Sequence, residues 1–296
     1  MTADATTTFE AHRRLLVGAA YRILGSHADA EDVVQEAWIR WSGVDPETVD
    51  DARAYLLTVT SRLALNRLRQ LRARRESYVG PWLPEPVATG PAVDGAEAAV
   101  LADEVSMALL IVLESLSPLE RAAFVLGDVF GMPSAEVARA LDRSPAAVRQ
   151  LLRRARSHVE ARQPRQAVEA PRHRAVVERF VEAAGRGDVE ALLAVLSPDV
   201  ILVTDGGGVR RAALRPIHTA DKVARWLLGV LATPEAATLT YQFREVNGEL
   251  AVVLSGPDGT DSVYFFTVAD DRITEVHAIR NPEKLAAVPP RQSSPG

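Results

Sequence analysis

Residues 143–165 carry seven arginines (143, 149, 153, 154, 156, 162 and 165) against one acid, Glu160. At about 100° per residue on a helix, Gln150, Arg153 and Ser157 share one face, flanked by Arg149 and Arg156 on one side and Arg154 on the other. Guanidinium forks hydrogen-bond guanine edges and phosphates at two points, and glutamine pairs with adenine in the same way. Each such base contact discriminates by about 1 to 3 kcal/mol. A second basic stretch, 53–75, holds seven arginines (53, 62, 67, 69, 72, 74 and 75) and no acid. Both lie in a chain whose net charge is −5, so the basic surface is concentrated rather than general.

The elements that position the first set can be read from their caps. Ser117-Pro118-Leu119-Glu120 is a capping box with proline at the first helical position. Gly131 and Pro133 punctuate the chain, Ser134–Leu141 makes a short helix, Asp142-Arg143 a turn, and Ser144-Pro145 opens a longer helix. Short helix, tight turn and capped longer helix outline a helix-turn-helix, with Val148, Leu152, Ala155 and Val159 as its buried stripe. The plain alternative for these arginines is a solvated face.

A further helix opens at Ser26 and runs to Trp41. Val33, Val34, Ala37, Trp38 and Trp41 make its buried side, and Asp29, Glu31, Asp32, Gln35 and Glu36 an acidic one from which Ile39 projects. An aliphatic residue among exposed carboxylates is a partner signal, though single exposed aliphatics are common.

With 296 residues, two or three domains are expected. The 47% apolar and 25% charged composition is that of a folded globular chain. There is no cysteine, which excludes disulfides, thiolate metal sites and cysteine nucleophiles. His12, His27, His158, His173, His218 and His277 show no metal-ligand spacing, no Gly-rich phosphate loop precedes a helix, and no cofactor is expected. The first ten residues lack a basic region followed by an apolar one, and the longest apolar run, Met107–Leu113, is too short to span a bilayer. A cytoplasmic location and no membrane partner are expected.

Residues 9–75 and 101–161 read as helical, joined by a stretch with prolines at 81, 84, 86 and 91 that suits an extended connector. Beyond a second linker near Pro164 and Pro171, helices over 176–184 and 189–196 precede strands with period-two alternation. Asn247-Gly248 is a type I′ hairpin turn, and 263–268 with 273–279 continue an antiparallel meander, giving an α+β domain.

The run Tyr21-Arg22-Ile23-Leu24-Gly25 followed by 29–38 resembles domain 2 of bacterial extracytoplasmic-function sigma factors. Residues 120–126 through 147–149 to 153–156 are similar to their domain 4. The likeness covers 9–162. Phe180–Ala183, Gly187–Leu192 and Pro198-Asp199-Val200 resemble the opening of the SnoaL-like, cone-shaped α+β fold. Trp82-Leu83-Pro84-Glu85-Pro86, Asp205-Gly206-Gly207-Gly208 and Asn281-Pro282-Glu283-Lys284-Leu285 resemble the subgroup in which such a domain is fused to the sigma factor.

That resemblance implies two all-α sigma modules, a helical-bundle domain 2 over 1–78 and a helix-turn-helix domain 4 over 103–163. A Pro/Gly linker over 79–102, a short linker over 164–172 and a SnoaL-like regulatory domain over 173–296 complete it. It implies core RNA polymerase docking by Asp29, Glu31, Asp32, Gln35, Glu36 and Ile39. It implies −10 reading by the arginine-rich helix, where Arg62, Asn66, Arg67 and Arg69 are candidates, cations serving the backbone and polar groups the splayed bases. Arg149, Gln150, Arg153, Arg154 and Arg156 become candidates for the −35 element. The family often has Arg-Asn where this chain has Ser61-Arg62, and the subgroup with the fused domain often has Asp where it has Glu283. The third domain is expected to control the sigma part from within, with no separate anti-sigma protein. The Asp205–Gly208 loop and the Asn281–Glu283 segment are expected to meet the Trp82–Pro86 linker, Trp82 acting as anchor.

Two other functions stay open: a helix-turn-helix regulator with a ligand-binding SnoaL-like domain, and an enzyme carrying DNA-binding modules. Asp205, His218, Tyr241 and His277 are the residues available to line a cavity for a small-molecule effector or for catalysis.

Overall fold

The computed structural model describes residues 3–89, 105–162 and 168–290, which group into two units: 1–77 with 93–163, and 78–92 with 164–296. In the first unit, α1 (Ala3–Leu24), α2 (His27–Trp41) and α3 (Ala52–Arg75) form a bundle. Ser26 caps α2 by accepting from Asp29 N–H at 3.2 Å, and Trp41, fully buried, donates its indole N–H to Ala5 O at 2.8 Å. Next come α4 (Met107–Glu114), α5 (Pro118–Phe124), α6 (Ser134–Leu141) and α7 (Pro145–Arg162). The capping box at Ser117 and Glu120 is formed in both directions. Between α6 and α7, Asp142 takes a left-handed conformation (φ 53°), which a short polar residue tolerates, and Ser144 Oγ caps α7 through Ala147 N–H.

The second unit lays α8 (Ala170–Arg186), α9 (Val189–Val195) and α10 (Ala220–Leu231) on one face of a six-stranded sheet. The strands are β1 (Leu196–Asp205), β2 (Ile217–His218), β3 (Thr240–Val246), β4 (Glu249–Gly256), β5 (Gly259–Ala269) and β6 (Arg272–Ile279), in the order β2-β1-β6-β5-β4-β3. The core between helices and sheet is filled by Phe180, Leu192, Val223, Tyr264, Phe266 and Val276 among others. Asn247 and Gly248, both at positive φ, make the expected hairpin turn between β3 and β4.

Two features depart from the expected meander. The sheet is mixed, because β1 pairs in parallel with β6 (Leu202 opposite Val276), and α10 was not foreseen. A parallel pair joining residues some 70 positions apart leaves no turn signal in the sequence, unlike a hairpin.

The expected 79–102 connector is extended where it is described, over 79–89, and packs on the second unit. Residues 90–102 lie outside those described, as do 163–167 around the second linker. Residues 83–89 are continuously buried in the second unit. Their backbone is tied to it by Ala88 N–H to Ala287 O (2.9 Å), Thr89 N–H to Glu245 O (3.0 Å) and Asn247 N–H to Val87 O (2.8 Å). Buried backbone needs such partners, and an extended proline-bearing segment has none of its own. The sheet face opposite the helices, with Val253, Phe265, His277 and Ile279 buried, is the one this segment and residues 281–288 run beside.

Candidate functional site

Asp205 ends β1 with its side chain fully buried. Its carboxylate accepts from Tyr78 O–H (2.5 Å), Leu83 N–H (2.8 Å), Gly207 N–H (3.1 Å) and Lys284 Nζ (2.6 Å). Four donors saturate a carboxylate that burial would otherwise make costly. Lys284 is itself buried, donates also to Leu83 O (2.5 Å), and lies 3.9 Å from the centre of the Trp82 ring and 5.1 Å from that of Tyr78. Asn281 Nδ2 donates to Tyr78 Oη at 3.0 Å, while its carbonyl accepts from Glu283 N–H. Burial, then the bond to Asp205, raise the Tyr78 pKa far above that of a free phenol, so it stays a proton donor.

Glycine is demanded in the loop after Asp205. At Gly207, φ is +61° and a Cβ would stand 2.4 Å from Asn281 Nδ2; at Gly206 it would stand 2.2 Å from Arg210 O. Leu83, Pro84, Glu85 and Pro86 are buried in the same unit, whereas Pro282 and Glu283 are exposed. The structure therefore brings together Trp82, Leu83, Asp205, Gly206, Gly207, Gly208 and Asn281. Sequence reasoning singled these out but missed Tyr78 and the role of Lys284, the buried one of the chain's two lysines.

The other candidate residues fall in the first unit. Arg149, Gln150 and Arg153 are exposed and, with Ala146, line one open depression on α7; none has a polar partner among the described residues. Arg154 and Arg156 turn back instead, Arg154 toward Glu120 (3.8 Å) and Arg156 onto Asp128 (2.5 Å). On α3, Arg62 donates to Arg139 O (2.6 Å) and Ala140 O (2.8 Å) at the C-terminal end of α6, where unsatisfied carbonyls and the helix dipole favour a cation. Arg67 pairs with Asp29 (2.5 Å), and Arg69 donates to Asn66 (3.2 Å). On α2, Glu31 pairs with Arg13 (2.5 Å) and Glu36 with Arg40 (2.7 Å). Asp32, Gln35 and Glu36 are exposed beside Ile39, which is 64% exposed.

His218 stands on edge strand β2 and Tyr241 on the opposite edge strand β3, with Asp205 and His277 on strands between them. The four do not converge on one cavity as the sequence allowed, and Asp205 is occupied by the linker. Among the described residues no group of three His, Cys, Asp or Glu is placed to hold a metal, and no helix is long and apolar enough to cross a membrane.

A helix-turn-helix with an exposed arginine face, a helical bundle with an acidic face and an appended α+β domain give the class: a multidomain protein of helical modules followed by an α+β domain. Residues 8–74 match the Sigma-70 region 2 family, 106–159 the Sigma-70 region 4 family and 177–276 the SnoaL-like domain family. The ECF RNA polymerase sigma factor SigJ of Mycobacterium tuberculosis is 42% identical over 95% of this chain and 93% of its own length. The probable ECF sigma factor SigI of the same species is 34% identical over 95% and 94%. The crystal structure of M. tuberculosis SigJ superposes with a TM-score of 0.78 at 39% identity, covering 97% of this chain and all of that one. This chain belongs to the extracytoplasmic-function RNA polymerase sigma factors, in the group that carries a fused C-terminal SnoaL-like domain.

Proposed function

We propose that this sigma factor directs core RNA polymerase to its promoters under the control of its own C-terminal unit, which grips the start of the linker between the two DNA-binding modules. The observation that carries this reading is the buried Asp205 carboxylate, which takes hydrogen bonds from both Tyr78 and Leu83 of the linker while Lys284 holds it from the other side. Because residues 78–89 belong to the C-terminal unit's packing, the free length of chain between α3 and α4 is shortened. A shorter connector narrows the separations the two modules explore, and so the promoters they span together.

In this proposal Asp32, Gln35, Glu36 and Ile39 of α2 meet the polymerase, α3 with Arg62, Asn66, Arg67 and Arg69 serves the −10 element, and Arg149, Gln150 and Arg153 read the −35 element. Control is by binding, in the cytoplasm, and needs no catalytic step, small-molecule effector or separate anti-sigma protein. The test is run-off transcription by core polymerase with the native full chain and with its Trp82→Ala variant. Transcript yield should change while hydrogen exchange in α1–α3 and α5–α7 stays native. Unchanged yield, with Trp82 replaced and the chain folded, refutes control through this linker.

A further inference from the structure

The loop that follows Asp205 has a charge pattern that the linker clamp does not use. Residues 206–220 contain Arg210, Arg211 and Arg215 and no acid, and all three arginines are exposed. None of the three guanidinium groups has a hydrogen bond, ion pair or ring contact among the described residues. Every other arginine of 168–290 has one, Arg174 with Glu178 and Arg280 with Asp261 among them. Three like charges within six residues repel one another, at a cost that a polyanionic partner would reverse.

The loop is held rather than loose. Thr204 Oγ1 accepts from Ala213 N–H at 2.7 Å, Gly206 O accepts from both Val209 and Arg210 N–H at 3.0 Å, and Arg280 donates to Arg211 O at 2.8 Å. The exposed aliphatics nearby serve the linker: Leu214 lies against Gly80, and Val79 against Gly208. Val209 and Leu214 remain largely exposed beside three outward guanidinium groups, whose planar forks suit phosphate oxygens.

We infer that Arg210, Arg211 and Arg215 form a third DNA contact of this sigma factor, a sequence-independent grip by the C-terminal unit on the phosphate backbone of promoter DNA. The inference rests on the sigma reading above and adds to it. A duplex is favoured over an acidic protein surface by charge complementarity: promoter DNA is the polyanion that a sigma factor already engages, and its closely spaced phosphates suit several guanidinium groups without an acid among them. Such contacts position the complex on DNA without selecting sequence.

The test uses holoenzyme made from the full chain and core polymerase, with a fluorophore-labelled promoter duplex titrated at several salt concentrations. The comparison is between the native chain, an R210A/R211A/R215A variant, the matching triple lysine variant, and an R174A/R186A/R225A control that removes the same charge from paired surface sites. Three lost phosphate contacts lower the slope of log K against log salt by roughly 2.7, so the native chain's advantage grows about 40-fold between roughly 200 and 50 mM salt. The lysine variant and the control should keep the native slope, and preference for promoter over scrambled duplex should be unchanged. An unchanged slope in the alanine variant overturns the inference. So does loss of core-polymerase binding at native slope, which would assign the loop to a protein surface. Native holoenzyme that starts no transcript in run-off assays overturns the sigma reading as well, whereas transcripts with an unchanged slope overturn this inference alone.

Discussion

Lys284 Nζ lies 2.6 Å from Asp205 Oδ2, with the carboxylate fully buried and the ammonium nearly so. Ion pairs in such surroundings contribute little net stability, yet removing one partner is costly because the other is left charged in a dry site. Lys284→Met should destabilise the C-terminal unit by about 3 to 5 kcal/mol. Adding Asp205→Asn should recover part of that loss, giving a coupling energy on the order of 1 to 3 kcal/mol. Guanidinium unfolding followed by hydrogen exchange at β1 and β6 measures each corner of this cycle, and strictly additive effects would refute the coupling.

Gly207 offers a second probe of the same clamp. Gly207→Ala introduces both an unfavourable positive φ and a methyl group within 2.4 Å of Asn281. The expected cost is about 1 to 3 kcal/mol. Asn281→Ala in the same chain should relieve the steric share and leave the backbone share. Loss of Tyr78 contacts should appear as faster exchange of the Leu83 amide.

His277 makes the C-terminal unit sensitive to acid. Burial lowers its pKa from 6.5 to about 4, and Glu275, 3.8 Å away but half exposed, does little to oppose this. The folded ring stays neutral while the unfolded one takes up a proton, so the His277 contribution is complete above about pH 6.5 and is lost as pH falls toward 4. The loss amounts to roughly 3 kcal/mol at most. In His277→Gln, the difference in stability between pH 7.5 and pH 5, followed by exchange of β5 and β6 amides, should shrink. An undiminished difference assigns the acid sensitivity to other groups.

The arginines of α7 divide into two sets. Arg149 and Arg153 face an open depression without partners, so alanine at either should weaken −35 binding by about 1 to 3 kcal/mol and relax selectivity at one base pair. Arg156→Ala should leave promoter preference intact and release Asp128, a surface pair contributing about 0 to 1 kcal/mol. Binding of holoenzyme to a set of single-base promoter variants separates the two outcomes.

Local chemistry made several features legible in the sequence. The caps at Ser26, Ser117 and Ser144 and the Asn247-Gly248 turn satisfy backbone groups within a few residues, so their signals are local and their elements formed as expected. The two arginine-rich stretches, together holding one acid, and the acidic α2 face were equally plain, because charge pattern is a property of residue types alone.

The tertiary structure decided what distance in sequence hides. Lys284 and Asp205 stand 79 residues apart and Tyr78 and Asp205 127 apart, and no local rule links a lone lysine or tyrosine to a carboxylate at that range. The parallel pairing of β1 with β6 also joins remote segments without a turn between them. Proline and glycine content marks 79–102 as an extended connector, and only the family resemblance pointed Trp82–Pro86 at the Asp205 loop, because composition is silent on whether extended backbone finds partners elsewhere. Amino-acid order by itself made legible the helices other than α10, the caps and the charged faces. Only the folded chain decided which arginines stay unpaired and that Tyr78 and Lys284 complete the contact of the linker with Asp205, since burial and long-range pairing are properties of the whole packing.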